Sequence, residues 1–244
     1  MSDEARAPDI SKPHEYDHNH ANVASGWLRA SVFGAMDGLV SNTGLIAGIA
    51  AAGASNHLVA VTGISGLIAG AISMALGEFT SVRTANEQLD AEARTEYEAH
   101  SRNPRGEQAE LSALFESLGM DEETADRAAS QVHANGEHAV RVHLAHELGL
   151  SLDDRPSPYV AAISSFLSFA VGALIPIVPF IFGFGRLAAG LAFGGAGLLL
   201  AGGLAAYTTR RNWLAGAGRQ LLFGAIAVAA TYTIGTLLGV SNLG

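Results

Sequence analysis

The sequence predicts an all-α fold: a bundle of five transmembrane helices carrying a three- to four-helix insert between the second and third spans. Three observations carry that prediction. Charged residues make up 15% of the 244 positions against 49% apolar ones, well below the roughly 25% charge of an ordinary soluble domain. The apolar residues fall into five blocks, each close to the ~20 residues of helix that cross a bilayer. Most of the charged residues are gathered into one long polar stretch. Helix is the expected form of every block, because hydrocarbon offers backbone N–H and C=O groups no partner.

Residues 1–26 form a polar tail containing His14, Asp17, His18 and His20. The tail either collects metal weakly or carries its histidines incidentally. It lacks the basic stretch and apolar core of a signal peptide. Spans one and two occupy residues 27–82, the first over 27–52 and the second over 58–82. Residues 159–244 hold the other three, over 159–182, 187–207 and 214–240. Gly63, Gly66 and Gly70 punctuate span two, and Gly190, Gly194 and Gly197 span four. Such residues let helices approach closely, in a tight bundle or at a dimer seam, although glycine is also simply common in membrane helices.

The turn between spans one and two, 53–57, has no Asp, Glu, Lys or Arg, whereas Arg210, Arg211 and Arg219 lie where spans four and five join. The positive-inside rule puts those arginines in the cytoplasm. Five spans then place the N-terminus and the insert on the cytoplasmic side and the C-terminus outside, with Arg186 a single exception.

The insert, residues 83–158, has 16 Asp and Glu against 7 Arg and no Lys, so the chain's net charge of −9 resides there. Span two should continue as helix to about His100, ending at Asn103-Pro104-Arg105-Gly106. A helix over 107–118 follows, then one capped by Asp121 and running to about His133. Asn135-Gly136 breaks that run before a last helix over 137–148. His100, His133, His138, His143 and His146 fall in this segment.

Composition excludes several functions. With no Cys there are no disulfides, thiolate metal sites or cysteine nucleophiles. The acidic balance argues against nucleic acid, which demands a basic face. No phosphate-binding glycine loop, metalloprotease helix motif or Gly-x-Ser-x-Gly elbow is present, so no enzyme is expected and energy must come from ion gradients. The Arg-rich composition, with Lys12 the sole lysine, fits a GC-rich genome and a bacterial plasma membrane.

The residues able to do chemistry begin with Asp37, about ten residues or ~15 Å into span one. A carboxylate at that depth is costly unless paired, hydrated or bound to a cation; alternatively it lies nearer the interface, or caps a kink at Gly38. In span two, Met74 and Glu78 are four apart and share a helix face. Two carboxylates and a thioether suit a borderline ion such as Fe²⁺ better than Mg²⁺ or Ca²⁺, with Mn²⁺ also admissible. In the insert, Glu92 and Glu96 share a face, as do Glu107 and Glu110, while His143 lies four residues before Glu147. Carboxylates and imidazoles between packed helices hold iron or manganese in bundle proteins; the plainer alternative is an acidic solvated surface.

Three stretches carry a resemblance. Asp37-Gly-Leu-Val-Ser-Asn-Thr-Gly-Leu in span one, Gly70-Ala-Ile-Ser-Met-Ala-Leu-Gly-Glu-Phe-Thr-Ser-Val in span two and Gly172-Ala-Leu-Ile-Pro in span three resemble the vacuolar iron transporter family, which includes yeast vacuolar iron and manganese importers and plant nodulin-like proteins. The likeness runs from about Arg29 to the end. It implies a homodimer that moves Fe²⁺ or Mn²⁺ out of the cytoplasm in exchange for protons, along a path at the subunit interface, with no permanently bound cofactor. Zn²⁺ and Co²⁺ are further candidate cargoes. Asp37 and Met74 match the family's pathway positions and Glu78 its span-two acid. Glu96, Glu107, Glu110 and Glu147 match metal-binding positions of its insert, and His143 stands where the family has an acid or Met. A further family glutamate falls at Ala99, which cannot ligate. The rival expectation is a membrane-anchored metal sensor or store that transports nothing.

Overall fold

The computed structural model describes residues 26–147, 149, 155–183 and 185–241; His14, Asp17, His18 and His20 lie outside them. The described residues are helical and contain no strand. Helix α1 spans Trp27–Ala51 and α2 Asn56–Arg102. Helices α3 (Pro104–Ser117), α4 (Glu122–His133) and α5 (Gly136–Glu147) form the insert. The chain returns through α6 (Pro158–Leu174), a 3₁₀ turn (Ile175–Ile177) and the short α7 (Val178–Ile181). Helices α8 (Leu187–Thr208) and α9 (Trp213–Ser241) complete the bundle. Five segments are long and apolar enough to cross a membrane: α1, α2, α6 through α7, α8 and α9.

Local chemistry explains the boundaries. The Ser55 side chain accepts the Leu58 N–H at the start of α2, and Ser157 accepts the Val160 N–H ahead of α6, where Pro158 takes the first position. Asn103 ends α2 and opens α3, its side chain accepting the Gly106 N–H with Pro104 next in line. Each side-chain oxygen satisfies a donor that the first helical turn leaves unpaired, and proline loses nothing there. Asp121 caps α4, accepting both the backbone N–H and the hydroxyl of Thr124. These bonds, the Thr124 hydroxyl first, hold its carboxyl below the usual range. Span three, expected as one helix, tightens into 3₁₀ form at Ile175–Ile177. Pro176 and Pro179 supply no N–H to the helical ladder there.

The bundle is built around α1, which packs most extensively on α6, then on α9, α2 and α8. At α1–α6 two glycines allow backbone to meet backbone. A Cβ on Gly38 would strike the Phe169 carbonyl, and one on Gly172 the Ala35 carbonyl. Gly190, Gly194 and Gly197 are buried in α8, facing Ile46, Thr43 and Leu39 of α1, so in this span glycine serves the tight bundle.

Helix α2 runs unbroken for 47 residues, about 70 Å at 1.5 Å per residue, and so carries the insert away from the bundle. The insert closes on it through Ala93 of α2 with Val140 and Leu144 of α5. A Ser112–Asp126 hydrogen bond joins α3 to α4, and Asn86 donates to the Pro156 carbonyl, tying the returning chain to α2. Because the spans alternate in direction, the insert, the start of α1 and the α8–α9 turn share one end of the bundle.

Candidate metal centres

The candidate side chains come together in two groups, one in the bundle and one in the insert. In the bundle, a cleft of about 250 Å³ between α1, α2 and α6 is lined by Asp37, Ser41, Asn42, Gly66, Gly70, Ser73, Met74 and Phe169, with Leu45 at its wall. Asp37 and Met74 thus reach one cavity from different helices. Asp37 is half-buried, and Met74 packs on the small core of Ala71, Phe169 and Ala173. The glycines at 66 and 70 leave room for it: a Cβ on Gly70 would overlap the Phe169 ring.

Asn42 was not among the residues singled out from sequence, and it is 2% exposed. Its amide donates to the Gly63 carbonyl at 3.2 Å and to the Ala173 carbonyl at 2.6 Å. Those two bonds fix the amide's orientation and tie α1 to α2 and α6. Oδ1 is left buried with no hydrogen-bond partner, close to Gly66, another wall of the cleft. The available signal was a polar amide five residues beyond Asp37 in an apolar helix.

Glu78 does not line this cleft. Its carboxylate, almost fully buried, pairs with the Arg29 guanidinium of α1 at 3.2 Å. The sequence offered no sign of that partner, 49 residues away. Asp37 also faces a second cavity, toward α9, whose walls include Arg219 and Gln220.

In the insert, ligand atoms of Glu96, Glu107 and His143 lie within 4.8 Å of one another. They come from α2, α3 and α5, three helices meeting at one point. His143 is buried, with Nδ1 3.6 Å from Glu96 Oε1. Glu92 and Glu110 stand outside this group, Glu92 partly buried and Glu110 exposed. The side chain of Glu147 lies outside what the structure describes. Beyond the group, His133 places its Nε2 3.3 Å from that of His143, and the His100 ring lies 4.9 Å from the His133 ring. Burial, then the neighbouring His100 and His143, hold the His133 imidazole below the ordinary histidine range, with Glu107 opposing.

Both centres combine carboxylate with a softer donor, thioether in one and imidazole in the other. That chemistry suits first-row divalent ions. The model of the VIT family matches residues 28–236. A vacuolar iron transporter of Acanthamoeba castellanii is 34% identical over 93% of this chain and 84% of its own length. Vacuolar iron transporter homolog 1 of Oryza sativa subsp. japonica is 35% identical over 89% of this chain and 76% of its own. The VIT-like transporter 1b of Glycine max is 31% identical over 89% and 78%. With a family match across nearly the whole chain and relatives of this similarity, the chain belongs to the VIT family of vacuolar iron transporters.

Proposed function

We propose that this protein exports Fe²⁺, and with it Mn²⁺, from the cytoplasm across a bacterial plasma membrane in exchange for protons. The VIT family is a family of transporters and not of enzymes, and metal transport is what its members' names describe. The observation that carries the reading is the convergence of Asp37 and Met74 on one cleft inside the spans. There a carboxylate can hold either a cation or a proton, so protonation from the far side releases the metal it held. The Asn42 carbonyl oxygen, buried and unpartnered, adds an oxygen donor at the wall.

The insert, on the cytoplasmic side, gathers the ion at Glu96, Glu107 and His143, with Glu92, Glu110 and Glu147 as an acidic approach. Glu78 stands between insert and cleft, neutralised by Arg29 until a cation takes that role. The cleft opens on the flank of a single chain, and an ionisable group facing lipid is strongly disfavoured. A second copy packed on α1 and α2 covers it and makes the path an interface.

Fe²⁺ uptake into proteoliposomes under an inward-acid pH gradient tests this. Wild-type protein accumulates metal, Asp37→Asn abolishes accumulation, and Met74→Ala slows it several-fold. Unchanged uptake by Asp37→Asn overturns the pathway. Retained metal binding with no transport by any form would make the protein a membrane-anchored sensor or store.

A further inference from the structure

Beside the His143 imidazole of its carboxylate site, the insert places a second imidazole that the site as described leaves unused. Nε2 of His133 at the end of α4 and Nε2 of His143 in α5 are 3.3 Å apart. Without metal, one proton shared between them accounts for the contact. The same distance has a second meaning. In a tetrahedral site with metal–nitrogen bonds of about 2.0–2.1 Å, two ligating nitrogens lie roughly 3.3–3.4 Å apart. The pair is therefore already spaced to grip one ion, which would take the place of the shared proton. His143 is held from behind, its Nδ1 3.6 Å from the Glu96 carboxylate; such a carboxylate fixes the ring and directs the other nitrogen outward. The Asn135-Gly136 turn between α4 and α5 sets the pair, Asn135 Oδ1 accepting the Glu137 N–H, and the His100 ring packs against His133 from α2.

We propose that His133 is a further metal ligand, joining His143 and Glu107 while Glu96 orients His143 from its other ring nitrogen, to make the insert a centre of two imidazoles and one carboxylate that takes Zn²⁺ or Co²⁺ in preference to Mn²⁺. The proposal rests on the reading that the insert binds metal. Three protein donors with one position left open suit a tetrahedral ion that must later be passed on, and imidazole favours Zn²⁺ and Co²⁺ where Mn²⁺ favours oxygen. Nothing in the matched family positions predicts His133, since the resemblance supplies acids at the other insert positions, and His143 where the family has an acid or Met.

The test is titration of the purified full-length protein in detergent with Co²⁺, read by visible absorption, alongside Mn²⁺ binding read by electron paramagnetic resonance. Wild type should give the intense bands of four-coordinate Co²⁺, bleached by equimolar Zn²⁺ but not by equimolar Mn²⁺. His133→Gln should weaken Co²⁺ binding at least ten-fold and replace those bands with the weak ones of six-coordinate ion. Its Mn²⁺ affinity should change less than two-fold, which also shows that the variant folds. Unchanged Co²⁺ affinity and bands in His133→Gln overturn the proposal, as does an equal loss of Mn²⁺ binding. If Glu107→Gln leaves the binding of every ion intact, the metal-binding reading of the insert itself fails.

Discussion

At the scale of single residues, the candidate site is defined by where polar groups sit within apolar helices. Asp37 was legible in the sequence because a carboxylate ten residues into a span is costly and therefore needs a reason. Its relation to Met74 followed only in part, since helical spacing says which residues share a face of one helix but not which helices meet. The structure supplies that meeting in the cleft. Asn42 was hidden for a related reason: an amide costs less in a membrane helix than a charge, so it raises no alarm. Its two bonds to carbonyls of α2 and α6 give a prediction. Asn42→Leu should lower the stability of the detergent-solubilised protein by roughly 1–2 kcal/mol, seen in thermal melting, and slow metal uptake as well. A variant with wild-type melting and uptake would show that the amide neither ties the helices nor serves the cleft. Glu78 and His133 share another kind of illegibility. Their partners Arg29 and His143 lie across turns or along other helices, where periodicity says nothing.

At the scale of elements, the sequence was far more readable. Bilayer thickness dictates span length, and turn chemistry marks each end, so the five spans and the three insert helices appear close to where patterning put them. Asp121 acts as the cap its position implied, whereas Asn103, expected only in a turn running to Gly106, caps α3 directly, so that helix begins at Pro104 and not at Glu107. The other exception is span three, where two prolines tighten the end of the helix into a 3₁₀ turn; a hydropathy pattern carries no information on hydrogen-bond register. Packing between elements was less legible than their extents. Glycine in a membrane helix is too common to signal a contact by itself, yet Gly38 and Gly172 are where α1 and α6 touch backbone to backbone. Gly172→Leu should therefore separate these helices and disturb the cleft they share. The measurable result is a sharp fall in folded, detergent-extractable protein, while Gly218→Leu, at a position with open space around its Cβ, should leave the yield unchanged. Equal yields from both variants would contradict the packing described.

At the scale of the whole molecule, the question is how a cleft on the flank of one chain becomes a path through a membrane. Helix α2 lines the cleft with a strip of small residues, Gly66, Gly70 and Ser73, and exposes Leu76 about one turn further on. A second copy laid on that strip would seal Asp37 from lipid. The absence of cysteine makes the point easy to examine, since any introduced thiol is the sole one. Leu76→Cys, oxidised in membranes, should form a disulfide-linked species at twice the 25.1 kDa of the chain, reversed by reductant. Leu222→Cys, on the exposed side of α9, should remain monomeric under the same treatment. The reverse pattern would place the interface elsewhere and leave the Asp37 cleft without a cover.

The central claim is that the Asp37 carboxylate exchanges a metal ion for protons, and it is tested most directly by recording both fluxes together. Proteoliposomes loaded with a pH-sensitive dye and an Fe²⁺ indicator should show internal protons leaving as Fe²⁺ enters through wild-type protein, with both signals lost in Asp37→Asn. Metal entry with no accompanying proton movement, or coupled movement that persists in Asp37→Asn, would contradict the account.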